Sequence, residues 1–192
     1  MKFIGRHPAE IVLGLFIITF MLSSCKKSEY ARLVDREMKA GRQDSIFLGM
    51  YFGMKRQDFF DHCMELNRQH IATSGIRGGL SVLYKIEDPA GTIQMNFYPE
   101  FWKDQIYEMR VLFNYENWTP WSQNTHQDSL RNRVGRLFNK WYGSDFIKVE
   151  RSPGDTALVK VTGNRRIVIF KEGESDVRAI FTNLIDENET KK

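Results

Sequence analysis

The sequence predicts an α+β domain in which a helix followed by antiparallel strands occurs twice, with both helices packed on one face of the sheet. Three observations predict it. Two segments, around Phe59 and around Val134, repeat apolar residues at helical spacing. Each is followed by short runs that alternate apolar and polar residues, as strands with one buried face do. The runs are separated by turn signals: Asp88-Pro89-Ala90-Gly91, Ser152-Pro153-Gly154-Asp155 and Gly163-Asn164.

In chain order, residues 26–43 are polar and helix-permissive, and read as a tether or a short helix that Gly41 ends. The folded part begins near Asp44. Phe59, Phe60, Cys63, Met64 and Leu66 recur at helical spacing between Asp58, Asp61 and Glu65, which predicts a helix over residues 56–69. Gly75, Gly78 and Gly79 break the chain after it. Strands are expected over residues 80–87 and 93–97. After a loop around Pro99 comes a third, with Tyr107, Met109, Val111, Phe113 and Tyr115 on one face.

The order then repeats. Residues 118–127 read as a loop. Leu130, Val134, Leu137, Phe138 and Trp141 form one helical stripe that Gly143 closes. Strands follow over residues 146–150, 157–162, 165–171 and 177–183. Gly163-Asn164 is a two-residue hairpin loop. Residues 185–192 read as a polar, frayed tail. The division expected is a leader over 1–24, a tether over 25–45 and a domain over 46–184. Residues 46–116 and 126–184 are its candidate repeats.

The leader is read from three parts in order. Lys2 and Arg6 place positive charge first, an uncharged apolar run covers residues 11–22, and small residues precede Cys25. That is the layout of a secretory signal peptide. The apolar run is shorter than the roughly 20 residues a spanning helix needs.

Loss of residues 1–24 removes Lys2, Arg6 and Glu10 and lowers the net charge from +4 to +3. So balanced a chain carries no nucleic-acid footprint. With Cys25 modified, Cys63 is the single free thiol, and the fold is expected to rest on its core without a disulfide.

No catalytic residue is read from the sequence. There is no nucleophile elbow, no zinc-protease motif and no phosphate-binding glycine loop. An envelope hydrolase with carboxylates gathered from different strands stays open as an alternative, as does an inhibitor inserting residues 99–104 into a hydrolase. No metal site or cofactor is expected. Asp58, His62 and Cys63 are close in sequence, but Cys63 points about 100° away from His62 on a helix. It falls on the apolar stripe with Phe59 and reads as a buried cysteine, with His62 pairing Asp58 on the wet face. Arg131, Arg133, Arg136 and Lys140 form a basic helix side, read as a solvated face and alternatively as one that meets anionic lipid.

The densest feature is nine aromatics in the 25 residues from Phe97 to Trp121. The strand members alternate as core. Trp102, Trp118 and Trp121 stand beside loop residues, so they either cap the core or form a surface for a partner.

Two resemblances complete the reading. Leu22-Ser23-Ser24-Cys25 resembles the lipobox of bacterial lipoproteins. There the thiol takes a diacylglycerol, cleavage falls before the cysteine, and several acyl chains form a stable anchor. Lys26 is not the aspartate of inner-membrane retention and no acidic run follows, which implies the periplasmic face of the outer membrane.

Phe52-Gly53-Met54, Phe59-Phe60, Cys63 and Leu66-Asn67, then Met95-Asn96-Phe97-Tyr98-Pro99, Trp118-Thr119-Pro120-Trp121 and Lys140-Trp141-Tyr142-Gly143, resemble an uncharacterised family of Bacteroidota lipoproteins. That implies lineage and location but no activity. More loosely, the element order is similar to small lipoproteins of outer-membrane barrel assembly and to secreted β-lactamase inhibitors. A lipid-anchored binding or adapter module with an envelope protein partner is the function expected.

Overall fold

The computed structural model describes residues 27–75 and 81–190. The leader, Cys25, Gly78 and Gly79 lie outside the described residues. The chain divides at Asp35/Arg36 into two compact units. In the first, the Ser28 hydroxyl accepts the Ala31 N–H at 3.1 Å and so opens α1 (Glu29–Glu37). Lys27 and Asp35 form an ion pair there. The helix stops before Gly41, because the Lys39 and Ala40 N–H groups turn to the carbonyls of Arg36 and Glu37, three residues back.

The second unit holds eight strands in one antiparallel sheet. They are β1 (Thr73–Ser74), β2 (Val82–Ile86), β3 (Ile93–Trp102), β4 (Gln105–Tyr115), β5 (Ile147–Ser152), β6 (Asp155–Thr162), β7 (Arg165–Glu172) and β8 (Asp176–Asn183). Their spatial order is β1-β2-β3-β4-β8-β7-β6-β5. Each set of four is a meander, and the meanders meet where β4 pairs β8. Among the described residues three α-helices accompany them: α2 (Arg56–Arg68), α3 (Gln127–Tyr142) and α4 (Leu184–Thr190). The chain is α+β, as the two periodicities imply.

The register explains the core. Phe97, Val111, Ala179, Ile169 and Leu158 fall in one row across five strands. Met109, Phe181 and Ile167 form the next row. Helix α3 lies on this face against β4, β7 and β8 and buries Leu130, Val134 and Phe138. The Phe138 ring meets Phe113 at 5.9 Å and Phe181 at 5.7 Å between centroids. The segment before α2 adds Ile46, Met50, Phe52 and Met54. Phe47 stands edge-on between Phe97 (5.0 Å) and Phe181 (5.4 Å).

Helix α2 docks elsewhere, at the far end of the β3–β4 hairpin. Lys55 bridges Gln105, Arg56 pairs with Asp104 at 2.9 Å, and the Phe59 ring lies 6.0 Å from both Tyr98 and Phe101. The two main helices therefore rest on different parts of the sheet.

Three expectations are corrected. There is no loop at Pro99, which pairs with Met109 inside β3. Among the described residues, the pairing of β3 with β2 runs from Ile93 to Phe97 and does not include Pro99, as suits a residue without an N–H. Tyr107 does not share the face of Met109. A register shift at Glu100/Phe101 brings Ile106 into the buried row instead.

Residues 185–190 are helical rather than frayed. Asn183 Oδ1 accepts the Ile185 N–H at 3.2 Å, and Glu187 and Glu189 pair with Arg166 at 2.9 Å and Lys103 at 3.1 Å. The second unit begins at Arg36. Within it Asn164 accepts the Gln43 N–H at 2.6 Å and donates to Asp44 at 2.9 Å.

Candidate functional site

The aromatic-rich stretch divides residue by residue. Phe97, Phe113 and Tyr115 are core, and Tyr98 and Phe101 pack against it. Trp102 is the last residue of β3. It faces Gln105 across the two-residue turn Lys103-Asp104, whose φ values of 47° and 63° fit a tight hairpin. Trp118 is half-buried on the core, with its indole N–H enclosed and unpartnered. Trp121 is 88% exposed.

Trp102 and Trp118 sit beyond opposite ends of β4. At about 3.3 Å per residue, roughly 30 Å of strand separates them. The three tryptophans therefore do not form one patch. Trp118 caps the core, Trp102 is exposed at a hairpin tip, and Trp121 is the most exposed of the three.

The loop that carries Trp121 is braced. Thr125 is buried and donates its hydroxyl proton to the Ser122 carbonyl at 3.1 Å. The Ser129 hydroxyl donates to the Gln123 carbonyl at 3.0 Å, and the Ser122 N–H to the Thr119 carbonyl at 3.2 Å. These bonds hold the loop that carries Trp121 in one conformation.

The charged candidates also move. His62 does not pair with Asp58. Its Nε2 lies 2.6 Å from the Leu48 carbonyl, which ties α2 to the loop before it. Cys63 is half-buried in an apolar groove beside Phe59, Phe60 and Val82. Burial pushes its thiol up to about 11. Among the described residues, no three His, Cys, Asp or Glu side chains gather to hold a metal.

The basic side of α3 is split. Arg131 donates to the Thr156 hydroxyl at 3.1 Å and Arg133 pairs with Asp88, while Arg136 and Lys140 remain exposed. Burial pushes Asp88 upward, but the Ala90 N–H and the Arg133 guanidinium outweigh it and hold the carboxyl below its usual range.

One notable residue was missed from the sequence. Arg165 is 4% exposed and lines a cavity of about 430 Å³ together with Trp141 and Tyr142. Its signal was present, because Arg165 is in phase with the buried Ile167 and Ile169 on β7, where a charge is out of place. No family model, curated protein or solved structure matches the chain.

Proposed function

We propose that the protein is a lipid-anchored binding or adapter module of the cell envelope. It is held by acyl chains on Cys25 and faces the periplasm, on the outer membrane and in a lineage of Bacteroidota lipoproteins. The observation that carries the binding reading is Trp121, 88% exposed on a braced loop. A large rigid aromatic at the surface is a characteristic anchor for a protein partner. The anchor reading rests on the basic start, the short apolar run and Leu22-Ser23-Ser24-Cys25. In the same reading the domain is one helix-and-meander unit used twice, since α2 precedes β1 to β4 and α3 precedes β5 to β8.

Two measurements test this together. A photo-reactive benzoylphenylalanine placed at position 121 in intact cells should cross-link one specific envelope protein, and radiolabelled palmitate should enter the wild-type chain but not Cys25→Ser. Absence of a specific cross-link at 121 would sink the binding surface. Equal labelling of both chains would sink the anchor.

A further inference from the structure

Arg165 is buried and charged, and no counter-ion pairs with it among the described residues. Its Nη1 donates to the Ser45 carbonyl at 2.6 Å and to the Ser45 hydroxyl at 3.3 Å. The guanidinium lies 4.9 Å from the Tyr142 ring centroid. Its Nε is enclosed with no hydrogen-bond partner, and no carboxylate among the described residues pairs with it.

An arginine keeps its proton in any protein, so the charge is fixed, and a buried charge left unpaired is strongly unfavourable. Tyr142 cannot compensate as an anion. Burial pushes its hydroxyl well above the usual value, and the neutral group donates to the Ile46 carbonyl at 2.8 Å.

The space beside this charge is the cavity of about 430 Å³, within the roughly 300–1,000 Å³ of small-molecule sites. Its polar part is Gln43, Ser45 and Arg165, linked by the Gln43 amide donating to the Ser45 hydroxyl at 3.3 Å. Its remaining wall is largely apolar and aromatic, with Phe47, Leu48, Tyr84, Met95 and Trp141. One fixed positive charge beside an aromatic and aliphatic wall selects an anion with an apolar body. A small inorganic anion leaves the aromatic wall unused.

We infer that this cavity binds a small amphipathic carboxylate, an aryl- or alkyl-carboxylic acid. Its anion pairs with Arg165 and its body lies against Phe47, Tyr84, Met95 and Trp141. The bound carboxylate supplies the counter-ion the fold omits, through charge-assisted hydrogen bonds to the guanidinium. This site is independent of the Trp121 surface.

The test is titration calorimetry on the full chain carrying Cys25→Ser, so that no acyl anchor competes. The probes are 4-phenylbutyrate, its neutral amide and inorganic phosphate. Phenylbutyrate should bind, the amide should bind about 10- to 100-fold more weakly because it lacks the charged hydrogen bonds, and phosphate should be weaker than phenylbutyrate.

Arg165→Met should abolish the difference between acid and amide. Should that variant fail to fold, Gln43→Glu is decisive. It is nearly isosteric and places a carboxylate in the cavity wall to satisfy Arg165, so phenylbutyrate binding should be lost while the circular dichroism spectrum is kept. Equal affinity for acid and amide overturns the proposal. So do phosphate binding as tightly as phenylbutyrate, undiminished binding by Gln43→Glu, and no heat from phenylbutyrate at millimolar concentration.

Discussion

Replacing Gly163 by alanine probes how the β6–β7 hairpin is locked to the chain that enters the domain. Gly163 has φ +56°, and a Cβ built there would stand 2.3 Å from the Gly41 carbonyl oxygen and 3.2 Å from the Gln43 nitrogen. Both neighbours are backbone, so neither can swing aside. The left-handed conformation alone costs an alanine about 1 kcal/mol. Relieving the clash must part the hairpin from residues 41–44. That stretches the Gln43 N–H to Asn164 bond (2.6 Å) and the Asn164 to Asp44 bond (2.9 Å), each worth about 1 kcal/mol.

The expected loss is therefore about 3 kcal/mol. For a domain of this size each kcal/mol is about 2–4 °C, so the Tm should fall by roughly 6–12 °C. Gly154→Ala is the matched control. It has φ +82° but nothing within 4 Å of the new Cβ, so it carries the conformational cost alone, about 1 kcal/mol. Urea unfolding followed by tryptophan fluorescence reads both variants at constant m value. If Gly163→Ala is no less stable than Gly154→Ala, the close approach to Gly41 does not exist and the locked hairpin is wrong.

Three further outcomes are expected. Asp88 is held below the usual carboxylate range despite its burial. Its contribution is therefore full above its unfolded pKa of about 3.9 and lost as pH falls through the lower folded value. Asp88→Asn should cost about 2 kcal/mol at pH 7 and flatten the loss of stability in acid; an unchanged acid limb would contradict the Asp88–Arg133 pairing. Phe138→Ala removes a fully buried ring that meets Phe113 and Phe181 and should cost about 3–5 kcal/mol, whereas Trp121→Ala should stay within about 0.5 kcal/mol; chemical denaturation of the two side by side checks the contrast. With its thiol raised to about 11, Cys63 exposes only about a thousandth of its thiolate at pH 8. Maleimide should label it slowly in the native chain and fast in urea, and equal rates would show that the groove does not shield it.

The strands were legible because a half-buried strand writes its face into every second residue. Val177, Ala179 and Phe181 on β8, and Ile167 and Ile169 on β7, show that period directly, and all are buried on the face that α3 covers. The period failed where the backbone departs from regular pleating. The register shift at Glu100/Phe101 moved Tyr107 out of phase, and Pro99 looked like a loop although it pairs with Met109 inside β3. The candidate site was legible only in part. Tryptophans beside prolines marked the Trp121 loop, but residue type does not separate Trp118, which rests on the core, from Trp121, which does not.

By itself the sequence determined the α+β class, the position of most strands and both long helices. Each of these depends on neighbours within a few turns or pleats. Only the tertiary structure decided that the two meanders join at β4 and β8, that the three tryptophans are separated, and that Arg165 is enclosed beside a cavity. Those outcomes rest on partners far apart in the chain, such as Asn164 with Gln43 and Arg165 with Ser45, 121 and 120 residues away. A local pattern records which side of an element is buried; it does not record what arrives from elsewhere to bury it.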